Sequence, residues 1–303
     1  MSQIIRSKED IAKCVDNKII LSDPESFSMK DSEIIINGKN NILYCEKNVA
    51  MENCRVVFDA DNSVIYFSEN RHVYKVDLTV NNNCACYLGR DGYYNKQETS
   101  NDQVRIICSE ERTVFIGDEV LMAFGVWIRT ADPHLVYSAE TNKRMNPSES
   151  VFIGDHVWIG QNALILKGSM IHSGSILGGG AVLTGKKIPS NASFAGNPAK
   201  QIGENIYWAE PCVHKWTEVQ TTYHRKFKGK ERALFGEDES TIPFSAIDSE
   251  LSARETSEEK LEYLLEISAN QSKNRFAMGS LPTFEPKGGF RKKLKKFIKN
   301  ILK

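Results

Sequence analysis

Residues 153–182 read I153-G-D-H-V-W158, I159-G-Q-N-A-L164, I165-L-K-G-S-M170, I171-H-S-G-S-I176 and L177-G-G-G-A-V182, which are five units of equal length. An apolar residue opens each unit, a small or β-branched residue stands four places later, and turn-forming residues fill the gaps. This hexad period predicts a solenoid in which each unit forms one short strand and one turn. Three units form one triangular coil, and stacked coils bury the repeated apolar side chains together.

The period extends beyond this stretch in weaker form. Downstream it runs to Gln201 through L183-T-G-K-K-I-P189 and A195-G-N-P-A-K200, and upstream I116-G-D-E-V-L121 restores it. Further upstream, short β-rich segments alternate with clusters of Asn, Asp and Gly. These segments cover residues 33–36, 56–58, 64–67, 76–80 and 104–108. We therefore expect irregular coils over residues 20–115, regular hexads over residues 153–201, and a helical cap over residues 4–15.

The composition is typical of a soluble intracellular enzyme. The chain has 303 residues, of which 39 are Lys or Arg, 39 are Asp or Glu, and 41% are hydrophobic. That is enough for one large domain and an appendage. The balanced charge argues against nucleic-acid binding. No stretch approaches the roughly 18 apolar residues of a membrane span and the charged N-terminus lacks a signal-peptide core, so we expect a cytoplasmic protein.

The seven cysteines carry no disulfide or metal pattern. Their number is odd and no C-x-x-C occurs, which favours a reducing compartment. Cys84 and Cys86 stand two apart and would share one face of a strand. We expect them to pack as small apolar groups rather than to bind a metal or react.

Three segments carry a family resemblance. The chain resembles the hexapeptide-repeat acyltransferases in three segments, which occur in the order V157-W-I-G160, G178-G-G-A181 and A195-G-N-P-A-K200. The resemblance implies a mainly β fold, the left-handed parallel β-helix, which is an exception to the right-handed crossover rule. It also implies acetyl-CoA as co-substrate and a homotrimer with active sites between adjacent subunits.

The period breaks over residues 132–150, which predicts a protruding loop, and loops on rigid scaffolds often carry function. His134 lies near the start of this loop. In sugar O-acetyltransferases of the family that it resembles, a histidine at this distance from the tryptophan equivalent to Trp158 is the catalytic base. The chemistry agrees, because deprotonating an acceptor hydroxyl requires a base that is neutral near pH 7.

Three further residues are candidates for the catalytic site, each with a structural alternative. Asp132 either orients the imidazole or forms the turn before the loop. Asn146 resembles an asparagine at the returning end of the family's loop, and either holds that loop or touches the acceptor. Trp158 either lines the site and positions the thioester or packs at the edge of a coil.

Acetyl-CoA is expected to lie along one edge of the later coils, where small residues leave space for the pantetheine arm. The candidates for this groove are Gly160, Gln161, Gly178, Gly179, Gly180 and Ala181. A backbone N–H near Gly160 or in the following turn would donate to the oxyanion. Thr184 with Lys186 or Lys187 stands where the family's phosphate-binding lysine stands. We interpret the segment 183–189 as one residue longer than the usual form, which leaves open which lysine binds phosphate.

The remaining histidines are weaker candidates. His156, the fourth residue of its unit, is expected to face solvent or a neighbouring subunit, where it could serve as base or acceptor contact. No H-x-x-x-H motif or Cys/His cluster occurs, so no metal is expected.

Residues 204–303 form a C-terminal extension of different composition. The aromatic stretch 208–223 either covers the last coil or stacks on carbohydrate. Residues 238–259 are rich in Ser, Glu and Asp and indicate a mobile link, and residues 258–267 predict an amphipathic helix. Residues 288–303 predict a basic amphipathic helix. That helix either docks on its own protein or contacts an anionic membrane surface, an acidic polysaccharide or capsule-assembly proteins.

Taken together, the sequence predicts a β-helix acyltransferase domain over residues 1–203 and an extension over residues 204–303. The expected function is transfer of an acetyl group from acetyl-CoA to a sugar hydroxyl of a bacterial capsular or other surface polysaccharide. One alternative is N-acylation of an amino sugar or nucleotide sugar. Another is a non-catalytic scaffold.

Overall fold

The computed structural model describes residues 2–95 and 102–282. Its strands stack coil on coil into the three faces of a left-handed parallel β-helix, as the hexads and the family resemblance together predict. The first face contains β1 (Gln3–Ile5), β4 (Glu33–Ile36), β7 (Arg55–Phe58), β9 (Val76–Val80), β12 (Val104–Cys108), β15 (Trp127–Arg129), β18 (Leu164–Ile165) and β21 (Val182–Leu183).

The second face contains β2 (Lys18–Leu21), β5 (Ile42–Cys45), β8 (Val64–Phe67), β10 (Ala85–Leu88), β13 (Thr113–Ile116), β16 (Val151–Ile153), β19 (Met170–Ile171) and β22 (Lys187–Ile188). The third face contains β11 (Tyr93–Tyr94), β14 (Leu121–Met122), β17 (Trp158–Ile159), β20 (Ile176–Leu177), β23 (Ser193–Ala195) and β24 (Lys200–Gly203). A separate pair consists of β3 (Ser28–Lys30) and β6 (Ala50–Glu52).

The coils change length along the solenoid. Among the later coils Ile165 pairs with Leu183, a spacing of three hexads. Among the early coils Ile34 pairs with Val56, which is a longer spacing. All four side chains are buried in the interior. The longer early coils explain why the hexad period is hard to see there.

The Asn and Asp clusters between early strands form the corners of the coils. Asn40, Asn62 and Asn83 have φ between 54° and 61°, the left-handed region that asparagine enters at lower cost than most residues. Each sits just before a second-face strand. The sequence clusters therefore mark the turns, as expected.

Both ends of the described solenoid carry antiparallel strands. β1 pairs antiparallel with β4 on the first face, and β24 pairs antiparallel with β23 on the third. The helical cap predicted over residues 4–15 is confirmed only in part, because β1 comes first and a 3-10 helix over Lys8–Lys13 follows, with Ile11 packed against the core. A strand covers the open edge of the first sheet by backbone hydrogen bonds, which a helix cannot do.

The described part of the C-terminal extension contains three short α-helices. They are α1 (Glu218–Tyr223), α2 (Phe244–Ser252) and α3 (Ser257–Ala269). The amphipathic helix predicted over residues 258–267 is confirmed by α3. The mobile link predicted over residues 238–259 is wrong, because α2 lies within it and buries Phe244, Ile247 and Leu251. The basic helix predicted over residues 288–303 lies outside the described residues. No helix within the described ranges is long and apolar enough to cross a membrane.

Residues 242–278, named here the strap, cover the outside of the second face. Tyr44, Tyr66, Tyr87, Phe115 and Phe152 form an outward ladder along that face, with neighbouring ring centroids 4.6–6.3 Å apart. The strap covers the ladder with the apolar sides of α2 and α3 and with Phe276. Burying each such side chain contributes about 1.5–3 kcal/mol, so the strap belongs to the folded body.

Candidate active site

The loop over residues 132–150 leaves the first face after β15 and returns to the second face at β16. Strand pairing continues across it, since Ile116 pairs with Ile153 as if the loop were absent. The loop is therefore extruded from an intact solenoid. We name the turns between the first and second faces, residues 130–150, 166–169 and 184–186, the loop corner.

The loop itself is a hairpin. Val136 accepts a backbone hydrogen bond from Met145 at 2.8 Å, and Ser138 accepts at 2.9 Å from Asn142, whose φ is 54°. Tyr137 and Arg144 form an antiparallel bridge between them. This pairing gives the loop a defined shape although most of its side chains are exposed.

Asn146 fixes the backbone on both sides of His134. Its buried amide accepts from the Val136 N–H at 2.8 Å and donates to the His134 carbonyl at 2.8 Å and to Asp132 Oδ2 at 3.0 Å. These bonds use three of the four that an amide side chain can make. Of the two roles open for Asn146, the contacts favour holding the loop.

Asp132 contacts the next coil rather than the imidazole. Its Oδ2 accepts from Lys167 Nζ at 2.6 Å, and the ammonium group, followed by the Asn146 amide, lowers the pKa of the Asp132 carboxyl. The His134 side chain is exposed and makes no hydrogen bond within the described part of the chain. Asp132 therefore orients the loop through Lys167 and Asn146, which is closer to its expected turn role.

A second anchor, Glu110, is absent from the sequence prediction. Its carboxylate oxygens accept hydrogen bonds from both terminal nitrogens of Arg144, at 3.0 and 2.9 Å, and from the Ser148 hydroxyl at 2.5 Å. Arg144 first and Ser148 second lower the pKa of Glu110 to about 2. Because its folded pKa is depressed, this anchor is present throughout the neutral range and is lost only as the pH falls through that value. Nothing in the local sequence around Glu110 indicates a partner so distant along the chain.

Glu110→Ala is expected to lower turnover about five- to tenfold while leaving the melting temperature nearly unchanged. The carboxylate is exposed, so its loss lowers the free energy of unfolding only slightly. Without Glu110, however, Arg144 no longer fixes the hairpin, and a small displacement of a catalytic group lowers the reaction rate strongly. Steady-state kinetics and thermal melting measure the two effects. Glu111→Ala, at the neighbouring exposed position, is the matched control and should retain full turnover. Equal effects of the two substitutions would refute the anchor.

The other predicted site residues lie on a different side of the solenoid. Trp158 is on the third face and is 41% exposed. Gly160 and Gln161 follow in the turn to the first face, as do Gly178, Gly179, Gly180 and Ala181 one coil later. We name these turns, residues 160–163 and 178–181, the groove corner. A Cβ built on Gly180 would meet no atom within 4 Å, so this corner has free space beside its backbone.

Hydrogen bonding distinguishes between the candidate oxyanion donors. The Gly160 N–H donates to the Leu177 carbonyl at 2.7 Å and is unavailable. The Gln161 N–H, in the following turn, makes no hydrogen bond within the described part of the chain. This leaves Gln161 as the candidate donor.

Thr184, Lys186 and Lys187 are exposed at or next to the loop corner. The interpretation of an extra residue here is wrong. Ile171 pairs with Ile188 while the neighbouring Ile165 pairs with Leu183, so this coil is one residue shorter than the coil beside it. Lys186 Nζ donates to the Ala199 carbonyl at 3.1 Å, whereas no ion pair or hydrogen bond of the Lys187 ammonium occurs among the described residues.

His156 is buried, so the expectation that it faces solvent or another subunit is wrong. Its ring stacks on Trp208 with centroids 4.1 Å apart, and Trp208 Nε1 donates to the His156 carbonyl at 2.9 Å. Trp208 also lies 6.2 Å from the Trp158 ring. Trp208 therefore covers the coil of His156 rather than the last coil, while residues 209–223 are exposed apart from the half-buried Trp216. No cluster of His, Cys, Asp or Glu suited to a metal occurs within residues 2–95 and 102–282.

The chain order fixes how the site residues are distributed around one subunit. His134, Asp132 and Asn146 lie at the loop corner, while Trp158 lies on the third face, which is the side of a triangular coil opposite that corner. Gly160, Gln161 and residues 178–181 lie at the groove corner. One chain therefore does not bring His134 and Trp158 together.

Comparisons with known proteins agree with the solenoid. The model of the family described as bacterial transferase hexapeptide (six repeats) matches residues 150–185. A polysialic acid O-acetyltransferase of Neisseria meningitidis is 28% identical over 197 residues, which covers 65% of this chain and 88% of that protein. These matches confirm the predicted resemblance to the hexapeptide-repeat acyltransferases. Within this acyltransferase, the matched residues 150–185 include Trp158 and the groove corner.

Two solved structures are similar to this chain over most of their own length. The polySia-specific acetyltransferase NeuO superposes with a TM-score of 0.55 at 27% identity, covering 69% of this chain and 93% of that one. The polysialic acid O-acetyltransferase OatWY superposes with a TM-score of 0.51 at 26% identity, covering 70% of this chain and 97% of that one. Each superposition therefore leaves a substantial part of the present acyltransferase without a counterpart.

Proposed function

We propose that the protein transfers an acetyl group from acetyl-CoA to a hydroxyl of an acidic bacterial surface polysaccharide, such as a capsule. The observation that carries the proposal is an exposed histidine at the head of a hairpin that Asn146, Lys167 and Glu110 hold in one conformation. The relatives that act on polysialic acid support the acceptor class.

In the proposed reaction His134 acts as general base. Its imidazole takes the proton of the acceptor hydroxyl as the oxygen attacks the thioester carbonyl, and the C–S bond breaks when the tetrahedral oxyanion collapses. The leaving thiolate takes the proton back from the imidazolium, so the enzyme is regenerated without another reactant. The Gln161 N–H would stabilise the oxyanion.

The residues at the groove corner fit a bound CoA. Space beside the Gly180 backbone suits a narrow pantetheine arm. Lys187 lies beyond the short strand β21 and the turn that follows it, at most about 22 Å from Ala181, within reach of the phosphates of so long a molecule. With Lys186 engaged by Ala199, Lys187 is the proposed phosphate ligand, alongside Thr184.

We further propose a homotrimer in which the loop of one subunit faces the groove of its neighbour. Since one chain keeps His134 and Trp158 apart, a second chain completes the site. The hairpin exposes Leu135, Val136, Tyr137 and Met145, each more than half accessible. Such an apolar tip is typical of a surface that another subunit covers.

Incubation with acetyl-CoA and a panel of acceptors tests the reaction. Thiol release should depend on long polysialic acid, and the product should lose its acetyl group to mild alkali, as an ester does. Thiol release that depends on amino sugars and gives an alkali-stable amide would establish N-acylation instead. Release that no acceptor stimulates would refute the proposed transfer.

Mixed trimers test the shared site. His134→Ala and Trp158→Ala subunits, coexpressed with different tags, should regain activity above either homotrimer, because about a quarter of the inter-subunit sites would be intact by random assembly. Wild-type subunits coexpressed with the double variant give the reference for mixing. A site contained in one chain would show no recovery, since every subunit carries one lesion.

A further inference from the structure

Residues 209–231, named here the arm, project from the body next to Trp158. The chain leaves the body after the buried Trp208 and returns at Leu234 and Phe235, which are also buried. Phe235 is fixed by Asn191, whose amide exchanges hydrogen bonds with the Phe235 backbone. Both ends of the arm are therefore attached to the body.

Almost the whole arm is exposed. Every one of its residues is exposed except Trp216, which is half-buried, and α1 buries none of its residues. It nevertheless has a defined conformation. Thr217 and Gln220 form a reciprocal capping box at the start of α1, and the rings of Trp216 and His224 lie 4.5 Å apart.

The arm also carries an excess of positive charge. Its cations are Lys215, Arg225, Lys226, Lys228 and Lys230, and none of them forms an ion pair within the described part of the chain. Elsewhere on the surface many cations are paired, for example Lys39 with Asp16 and Lys47 with Glu69. A cluster of exposed and unpaired cations attracts polyanions.

Aromatic rings lie between these cations. Lys228 Nζ lies 5.4 Å from the centre of the Tyr223 ring, and Tyr223 is 59% exposed. Phe227 is 42% exposed and forms a T-shaped ring pair with Tyr207, with ring centroids 5.1 Å apart. Exposed rings bind the apolar faces of sugars, and the neighbouring cations bind carboxylates or phosphates.

We propose that the arm binds the acidic polysaccharide acceptor outside the catalytic site and leads it to the Trp158 side of the solenoid. This inference rests on the proposed function. Trp208, at the root of the arm, lies 6.2 Å from Trp158, so a chain held along the arm ends beside the groove. The short α1 offers only Val219 and Tyr223 as a shared apolar side, too little for membrane insertion.

The test compares long and short acceptors. In the variant Arg225→Gln/Lys226→Gln/Lys228→Gln/Lys230→Gln, the KM for long polysialic acid should rise about tenfold at low salt, since each exposed charge contact contributes modestly. The kcat should stay unchanged, and a disialyl acceptor should be used as before. The KM of the wild type for the long polymer should rise with salt, and the KM of the variant should rise much less.

A matched control removes the same charge elsewhere. Lys8→Gln/Lys13→Gln/Lys39→Gln/Lys47→Gln removes four exposed cations of the early coils and should leave KM for the polymer within twofold. Equal effects of the two variants would mean that net charge alone acts and would overturn the proposal. A changed molecular mass of the arm variant, with long and short acceptors affected alike, would make the arm a subunit contact and overturn it too.

Binding measured without turnover separates this inference from the proposed function. Fluorescent polysialic acid should bind His134→Ala protein. It should bind about tenfold more weakly when the four arm cations are also replaced. Neutral dextran of equal length should not compete with it. Arm-dependent binding without acetyl transfer by the wild type would support the arm and refute the function. Acetyl transfer by the wild type, with polymer binding unchanged by replacing the arm cations, would support the proposed function and refute the role of the arm.

Discussion

His134→Ala is expected to reduce kcat for acetyl transfer about a thousandfold, within the range of roughly 10² to 10⁴ that general-base catalysis contributes. The acceptor hydroxyl would then have to attack without losing its proton to the enzyme. The melting temperature should not change, because the side chain is exposed and makes no hydrogen bond within the described ranges. Thiol release from acetyl-CoA at saturating acceptor measures the loss.

Two controls decide whether the effect is specific to a base. His134→Gln keeps a polar side chain but cannot accept the proton usefully, so it should be as inactive as the alanine variant. His72→Ala removes a half-buried histidine outside the proposed site and should retain full activity. Turnover of His134→Ala within threefold of wild type would show that the base is another residue.

The fold was predictable where the hexad period is complete and less so where coils are longer. The hexads from Ile153 give coils of three units directly. In the early coils the corners contain additional Asn and Asp residues, so the strands repeat at a longer interval and only the β-rich segments are visible. The cap was predicted as helical throughout because apolar residues at 5, 11 and 15 fit a helix, but its first residues form a strand because an open sheet edge favours one.

The sequence of the second-face strands indicates that another segment covers them, although the hexad period alone does not. Second-face strands such as Val64–Phe67 and Ala85–Leu88 are apolar at every position and buried on both sides. First-face strands such as Val76–Val80 alternate apolar and polar residues. A continuous apolar run predicts a sheet covered on both faces, and here a segment far downstream in the chain provides the cover.

The candidate site was predictable residue by residue but not as a geometry. The broken period located His134 and Asn146, yet Glu110 and Lys167 support the loop from other coils. No local pattern links Glu110 to Arg144 or Lys167 to Asp132. The sequence places His156 outside because the fourth position of a hexad points outward, which is correct for the solenoid alone. Trp208, which lies outside the hexads, buries it.

Arg275→Met is expected to lower the free energy of unfolding by about 3–5 kcal/mol, the cost of leaving buried charges without their partner. Arg275 is 1% exposed and joins the strap to the solenoid. Its guanidinium donates to both oxygens of Asp155 at 2.9 Å and contacts Asp118 at 2.7 Å. Methionine fills similar space but leaves two buried carboxylates facing one another. Urea unfolding monitored by tryptophan fluorescence measures the loss.

A charge-matched control lies two residues away. Lys273→Met removes one positive charge from an exposed position of the same strap and should change stability by less than about 1 kcal/mol. The triple variant Arg275→Met/Asp118→Asn/Asp155→Asn should recover much of the loss. Asparagine keeps the oxygen that accepts the Arg90 and Asp118 backbone N–H groups and removes the unpaired charge. Absence of recovery would mean that packing of the guanidinium, not charge, attaches the strap.

The pH dependence of the Arg275→Met defect distinguishes these explanations further. Burial first, and the Asp155 charge second, raise the pKa of Asp118 to about 6 even with Arg275 present. An acid whose folded pKa is raised keeps its proton longer in the folded state, so its contribution to stability is greatest below its unfolded pKa, near 4, and declines as the pH rises. Without Arg275 the pKa rises further. The difference in unfolding free energy between wild type and variant should therefore be larger at pH 8 than at pH 5, whereas a packing defect would be the same at both.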